Sequence, residues 1–215
     1  MRCKLLTALV ATAIAAVGAA PAAAATVTLD HGCVRASQPI GFRLAGFAPE
    51  EQIRILLGTT FIDGFAVGAD GGFAGTFASP GLGDLPRLRS TLTATNDYGT
   101  TATAQQIVTT LGVTMKPAAA RPASRVSFRP YGFVEGGTVY AHYALTTSDT
   151  VHKLVKTVKL GALKGPCGDG LFKLRQLPLK SPRSGVYEIQ FDTSKAYRRQ
   201  QGVYVERTVF VAPGR

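Results

Sequence analysis

Apolar and polar residues alternate with a period of two along most of the chain, in short segments separated by Gly, Pro and polar turns. No apolar repeat of helical period lasts for three turns, whereas strands at this spacing are typical of β-sandwiches. Within "GADGG" (68–72), Asp70-Gly71 predicts a hairpin, because Gly tolerates positive φ. The pattern predicts an all-β fold with strands at 26–30, 39–47, 52–58, 111–117, 125–133, 138–145 and 152–160.

One segment of the sequence recurs after 86 residues. The stretch "IGFRLAGFAPEEQIRILL" (40–57) aligns with "VSFRPYGFVEGGTVYAHY" (126–143), so each copy has a strand, a Gly-Phe pair, a polar turn and a second strand. The offset equals the length of one sandwich domain. We therefore predict two tandem β-sandwich domains, at 26–109 and 110–213, with almost no linker. The corresponding pairs are Phe42 and Phe128, Gly46 and Gly132, Phe47 and Phe133, and Ile53 and Val139.

The first 25 residues have the features of a secretory signal peptide. "MRCK" carries two positive charges, an Ala-rich apolar run follows, and small residues precede a predicted cleavage after Ala25. The alternative is a membrane anchor, for which the run is short. Cys3 precedes the run and leaves with the signal. The sequence thus predicts a secreted or cell-envelope protein with no transmembrane anchor.

The two Gly-Phe units, together with "VYAHY" (139–143), "KTVKLG" (156–161), "GPCG" (165–168) and "EIQFD" (188–192), carry a resemblance. The chain resembles exported two-domain bacterial immunoglobulin-like proteins of the actinobacterial type, over most of its mature length. The resemblance implies two tandem immunoglobulin-like β-sandwich domains and an envelope location. It implies no activity, so it supplies no catalytic residues.

Two cysteines, Cys33 and Cys167, remain after the signal peptide. Cysteines in exported proteins usually pair. Counting strand reversals puts Cys33, in a turn after the first strand, and Cys167, in the loop after strand 152–160, at the junction of the two halves. We predict a disulfide between the halves. Two unpaired thiols and an intermolecular bridge remain the alternatives, because the sequence does not fix the distance between the residues.

Motifs for catalysis or metal binding are scarce, and none of G-x-S-x-G, H-E-x-x-H, a P-loop or G-x-G-x-x-G is present. A metal cluster of His31, Cys33 and Cys167 is conceivable, but a fourth ligand is not evident. His142 and His152 lie in predicted strands without a recognisable orienting partner for a catalytic thiol. His142 is interpreted as a residue of a solvated sheet face or of an interface. The sequence predicts no enzyme, no metal and no cofactor.

Charge is distributed unevenly between the two halves. Residues 26–109 contain 5 basic and 7 acidic residues, whereas residues 110–215 contain 17 basic and 6 acidic residues. Alternation in "LFKLRQL" puts Lys173 and Arg175 on one face of a strand. Lys156 instead falls in phase with Leu154 and Val158, which predicts a bulge or an exposed edge.

A strongly basic surface attracts polyanions. The predicted function is a non-catalytic adhesion or binding module whose second domain contacts an anionic cell-wall polymer or an anionic lipid surface. Nucleic acid is a poorer partner, because export separates the protein from it. The alternatives are a solvated positive surface that protects edge strands, and a structural spacer locked by the disulfide. The candidate contact residues are Lys153, Lys156, Lys159, Lys164, Lys173, Arg175, Lys180, Arg183, Arg198 and Arg199.

Overall fold

The structure, a computed structural model, describes residues 24–118, 120–148, 151–199 and 202–209, so all but the end of the predicted signal peptide lies outside it. Every regular element in these residues is a β-strand, which confirms the all-β class. The strands of the N-terminal half are β1 (Thr26–Leu29), β2 (Cys33–Arg35), β3 (Pro39–Ala45), β4 (Gln52–Leu57), β5 (Thr60–Ala66), β6 (Phe73–Ala78), β7 (Arg87–Asn96) and β8 (Thr101–Thr109). Those of the C-terminal half are β9 (Gly112–Lys116), β10 (Arg125–Tyr131), β11 (Thr138–Ser148), β12 (Val151–Ala162), β13 (Phe172–Arg175), β14 (Gly185–Asp192) and β15 (Val203–Val209).

The strand order in the N-terminal half is that of an immunoglobulin-like sandwich. One sheet has the order β1-β3-β6, and the facing sheet has the order β2-β8-β7-β4-β5. The short strand β2, which the sequence did not predict, pairs in parallel with β8. The first segment of the chain therefore contributes a strand to each sheet, and all other pairs in these sheets are antiparallel. This arrangement of a smaller and a larger antiparallel sheet is the immunoglobulin architecture.

The C-terminal half repeats this order without the short parallel strand. Its sheets are β9-β10-β13 and β12-β11-β14-β15, and all their pairs are antiparallel. No sheet in the described residues combines strands from both halves. The separation of the sheets supports the predicted domain boundaries at 26–109 and 110–213, which remain a prediction.

The 86-residue repeat corresponds to equivalent positions in the two halves. Phe42 and Phe128 are buried on β3 and β10, each the middle strand of its three-stranded sheet. Gly46 and Gly132 follow these strands with φ of 80° and 78°, a conformation that favours glycine. The glycines therefore mark a turn just past the strand end rather than a bulge within it. The Phe side chains that follow them, at 47 and 133, are both buried.

The turn at 68–72 is not a hairpin, so that prediction is wrong. Gly71 has φ of 71°, as Asp-Gly turns favour, and the amide of Gly72 donates to Asp70 Oδ1 at 2.9 Å. However, β5 before the turn pairs with β4, whereas β6 after it pairs with β3 in the opposite sheet. The same local turn chemistry serves a hairpin or a crossover, and the burial of the flanking strands decides between them.

Alternating apolar residues of the strands form the core of each half. In the N-terminal half, the Phe42 ring lies 5.9–6.2 Å from the rings of Phe65, Phe73 and Phe77, measured between centroids. In the C-terminal half, the Phe128 ring lies 5.1 Å from that of Phe191. These side chains bury large apolar areas, which is the main stabilising contribution in both halves.

Two buried tyrosines of the C-terminal core differ in their hydrogen bonds. The Tyr187 hydroxyl donates to the carbonyl of Arg183 at 3.2 Å and accepts from the amide of Arg183 at 3.1 Å. The Tyr143 hydroxyl is buried and has no hydrogen-bond partner in the described residues. Burial raises the pKa of Tyr143 well above its ordinary value. The native state therefore keeps a Tyr143 proton that the unfolded chain loses above about pH 10.

We expect Tyr143→Phe to leave the free energy of unfolding at neutral pH unchanged within about 1 kcal/mol, and Tyr187→Phe to lower it by about 1 kcal/mol. Above about pH 10, wild-type stability falls as the pH rises toward the raised pKa, because ionisation favours the unfolded chain. Tyr143→Phe should lose less stability over this range. Urea unfolding of both variants between pH 7 and 11 tests this, and a parallel loss in all three proteins would contradict it.

Candidate functional site

The two halves are joined by a buried disulfide. Cys33 begins β2 and Cys167 lies in the loop between β12 and β13, with a Cα–Cα distance of 5.3 Å. Both residues are buried. The pairing agrees with the predicted disulfide, although Cys33 lies on a strand rather than in a turn. A disulfide-bonded cysteine is neither a nucleophile nor a metal ligand. The metal cluster of Cys33, Cys167 and the exposed His31 that the sequence made conceivable therefore lacks its two thiolate ligands.

Two arginines of the N-terminal half bind the C-terminal half beside this disulfide. Arg35 Nε donates to the carbonyl of Gly132 at 3.2 Å, and Arg35 Nη2 lies 2.5 Å from Glu135 Oε2. Arg87 Nη2 lies 2.6 Å from Asp169 Oδ1. Both arginines are roughly one-third exposed or less. These contacts hold the halves in one orientation next to the covalent bond.

All ten predicted contact residues are exposed. Eight of them follow one another on β12, β13 and the segments next to these strands. The strands β12 and β13 are the edges of their sheets, and Lys156 Nζ on β12 donates at 2.6 Å to the carbonyl of Pro178, which follows β13. These eight residues form a basic edge, which comprises Lys153, Lys156, Lys159, Lys164, Lys173, Arg175, Lys180 and Arg183.

The irregular phase of β12 is a β-bulge on an edge strand, as predicted. Tyr143 pairs with Lys156, and Ala144 pairs with Leu154, so Val155 is the extra residue. Bulges and lysines on an edge strand are typical means of preventing edge-to-edge aggregation. Protection of the edge is therefore an explanation for the lysines of β12 that does not require a ligand.

Arg198 and Arg199 do not belong to the basic edge. They lie on the segment 193–199, which follows β14 and covers the outward face of β11 and β14. Gln190 Nε2 donates to the carbonyl of Arg198 at 2.9 Å, and Arg199 Nη2 lies 3.9 Å from the carboxylate of Glu188. The Glu188 carboxylate thus reduces the positive potential at Arg199.

Sequence reasoning missed three basic residues on the outward face of the sheet β9-β10-β13. Lys116, Arg125 and Arg129 are exposed there and alternate with buried residues such as Met115, Val126 and Phe128. Strict alternation in "VTMK" and "RVSFRPY" was the signal that could have identified them. Together with the two residues of β13 they form the basic face, which comprises Lys116, Arg125, Arg129, Lys173 and Arg175.

The basic face carries no acidic residue on any of its three strands. Arg125 and Arg175 are direct register partners on β10 and β13. Ser127 is flanked in the same way by Lys116 on β9 and Lys173 on β13. Like charges directly opposite each other on antiparallel strands are destabilising. The face therefore concentrates positive charge at a cost in stability.

His142 is fully buried, so the interpretation of a solvated face or an interface is wrong. Its Nε2 lies 3.2 Å from Asp192 Oδ1 and 3.0 Å from the Ser194 carbonyl, and its Nδ1 lies 2.9 Å from Thr157 Oγ1. Because both partners of Nε2 are acceptors, Nε2 carries a proton and donates it to them. The Tyr197 ring covers His142 at 5.6 Å between centroids. This chain of hydrogen bonds anchors segment 193–199 on the sheet.

His152 lies beside Glu188, whose carboxylate is 3.9 Å from Arg199 of the same segment. His152 Nδ1 is 3.3 Å from Thr146 Oγ1 and 3.7 Å from Glu188 Oε2, and the side chains of His152 and Glu188 are only 6% and 7% exposed. Burial and, to a lesser extent, the Glu188 carboxylate raise the pKa of Tyr197, whereas Arg199 lowers it. Across the described ranges, no group of three or more His, Cys, Asp or Glu residues could hold a metal ion.

The strand order of both halves defines an all-β protein of immunoglobulin-like architecture. No protein-family model and no curated protein matches the chain. Trypsin-activated alpha-2-macroglobulin from Escherichia coli is similar over 88% of this chain and 16% of its own, at 10% identity and a TM-score of 0.32. Murine CEACAM1b is similar over 85% of this chain and 95% of its own, at 10% identity and a TM-score of 0.30.

The chain thus spans about one sixth of the macroglobulin chain it matches. Both likenesses are weak, and the architectural class rests on the strand order of the chain itself. Among the residues that the structure describes, no helix has the length and apolar character of a membrane span.

Proposed function

We propose that the chain is an exported, non-catalytic immunoglobulin-like module, of the actinobacterial type that its sequence resembles, and that its C-terminal half binds polyanionic polymers of the cell envelope. One observation carries this proposal. The basic face holds five exposed cations on three short strands that bear no acidic residue. Such a face raises the local concentration of any polyanion.

The basic face differs from an ordinary solvated surface because it has like charges directly opposite each other on neighbouring strands. Solubility needs net charge, but it does not need like charges in register, as Arg125 and Arg175 are. A bound polyanion would relieve that repulsion. The adjoining basic edge extends the positive region, so a long polymer would meet both surfaces.

A second candidate function is a structural spacer. The disulfide and the contacts of Arg35 and Arg87 favour it, because they fix the orientation of the two halves. A spacer needs this rigidity but has no use for the charge asymmetry. Binding to a polyanion therefore distinguishes the two functions.

We expect the variant with Gln at Lys173, Arg175, Lys180 and Arg183 to lose about tenfold in retention on a polyphosphate matrix, and each single substitution to lose about twofold, because the attraction sums over many charges. The matched control exchanges Lys and Arg at the same four positions and keeps the charge. Retention is measured between 20 and 500 mM salt, because the attraction weakens as salt shortens the electrostatic screening length, which is about 8 Å at physiological ionic strength. Equal retention of the Gln variant and the control would favour the spacer.

A further inference from the structure

A groove of about 610 Å³ opens at the junction of the two halves. Thr114, Arg129 and Tyr131 line it from the C-terminal half, and Asp84 and Arg87 line it from the N-terminal half. Arg129 and the neighbouring Thr114 also lie on the outward side of the sheet β9-β10-β13. The groove is therefore continuous with one end of the basic face, and its volume is that of a small-molecule site.

The two arginines of the groove differ in their partners. Arg87 is engaged by Asp169 at 2.6 Å. Arg129 is exposed and makes no ion pair with a carboxylate in the described residues. A guanidinium without a carboxylate partner is well suited to bidentate contact with a phosphate. The groove thus offers one available phosphate-binding group, beside the apolar surfaces of Pro86 and Pro130.

Exposed leucines adjoin the groove on both halves. Leu85 is 55% exposed and lies between the lining residues Asp84 and Pro86, and Leu171 is 53% exposed and follows the lining residue Gly170. A hydrophilic polymer gains little from two half-exposed leucines beside its binding groove. A lipid bilayer offers an apolar layer directly beneath its charged headgroups, and membrane association is strongest where apolar insertion and basic charge combine.

We propose that this end of the molecule docks on an anionic lipid surface, a proposal that rests on the polyanion-binding function and selects a bilayer as the polyanion. The groove receives the phosphate of one lipid headgroup against Arg129. Leu85 and Leu171 enter the interfacial layer, and the rest of the basic face contacts neighbouring headgroups. Each basic residue near such a surface contributes about a fivefold increase in partitioning, equivalent to about 1 kcal/mol.

The test uses the whole mature chain with its disulfide intact and two kinds of vesicle. One kind contains three parts phosphatidylcholine to one part phosphatidylglycerol, and the other contains phosphatidylcholine alone. We expect partitioning, measured by co-sedimentation, onto the anionic vesicles only. Leu85→Asn with Leu171→Asn should lower it about tenfold, and Arg129→Gln about fivefold. Retention of the leucine variant on polyphosphate should be unchanged.

The matched control is Phe61→Asn with Tyr98→Asn, which removes two apolar side chains that are 60% and 89% exposed and do not line the groove. This variant should partition like the wild type. If the leucine variant also partitions like the wild type, the lipid proposal is wrong, while polyphosphate retention still tests the proposed function. If it loses affinity for polyphosphate and vesicles equally, the groove binds polymer and the lipid assignment is overturned.

Discussion

Replacing Cys33 and Cys167 together by alanine is expected to lower the free energy of unfolding by about 2–4 kcal/mol. The disulfide joins residues 134 positions apart in sequence, so it restricts a long loop of the unfolded chain. Both cysteines are also buried next to the contacts of Arg35 and Arg87. Loss of the bond should therefore weaken the junction as well as the overall fold.

Urea unfolding followed by circular dichroism measures this effect, with reduced wild-type protein as the control. Reductant should shift the wild type close to the double alanine variant and leave the variant itself unchanged. Alkylation under denaturing conditions should label no cysteine of the mature wild type until reductant is added. Labelling of two thiols without reductant, or an equal midpoint for oxidised and reduced protein, would contradict the prediction.

Gly168→Ala is expected to lower the free energy of unfolding by about 3 kcal/mol, and Gly71→Ala by a similar amount. Both glycines have positive φ, at 61° and 71°. An added Cβ at Gly168 would also collide with the backbone carbonyl of Phe133, and one at Gly71 with that of Phe47. In each collision the added Cβ meets backbone atoms, which cannot rotate away as a flexible side chain could. This steric strain therefore adds to the cost of the left-handed conformation.

Gly83→Ala is the matched control, because Gly83 has φ of 53° and open space around the position of a Cβ. It carries only the conformational cost, about 1 kcal/mol. Thermal and urea unfolding of the three variants separate the two contributions. A loss at Gly168 no larger than at Gly83 would show that the close approach to Phe133 is not maintained in solution.

Gly71 and Gly168 also show that the 86-residue offset does not relate all equivalent positions of the two halves. Gly71 and Gly168 make the same contact, each against the carbonyl of the Phe in its Gly-Phe unit. They do not lie 86 residues apart, because β11 and β12 have 11 and 12 residues whereas β4 and β5 have 6 and 7. Contacts between distant segments depend on strand lengths, which no local sequence comparison provides.

The sequence by itself determined the all-β class, the equivalence of Phe42 and Phe128, and the bulged edge at Lys156. Each of these follows from local patterns, because side-chain alternation and turn residues act over a few positions. The signal peptide and the envelope location remain predictions from the same kind of pattern. The pairing of Cys33 with Cys167 required a strand count, and it agreed with the structure although β2 had not been predicted.

Only the tertiary structure decided the crossover at Gly71, the burial of His142 and the composition of the basic face. The residues of a turn do not determine which sheet the next strand joins. His142 is buried because a later segment folds over its strand through contacts with Asp192 and Ser194. The basic face arises because three strands distant in sequence pair side by side, which places Arg125 opposite Arg175. These features depend on long-range pairing, and its free energy is not encoded in any single segment of the chain.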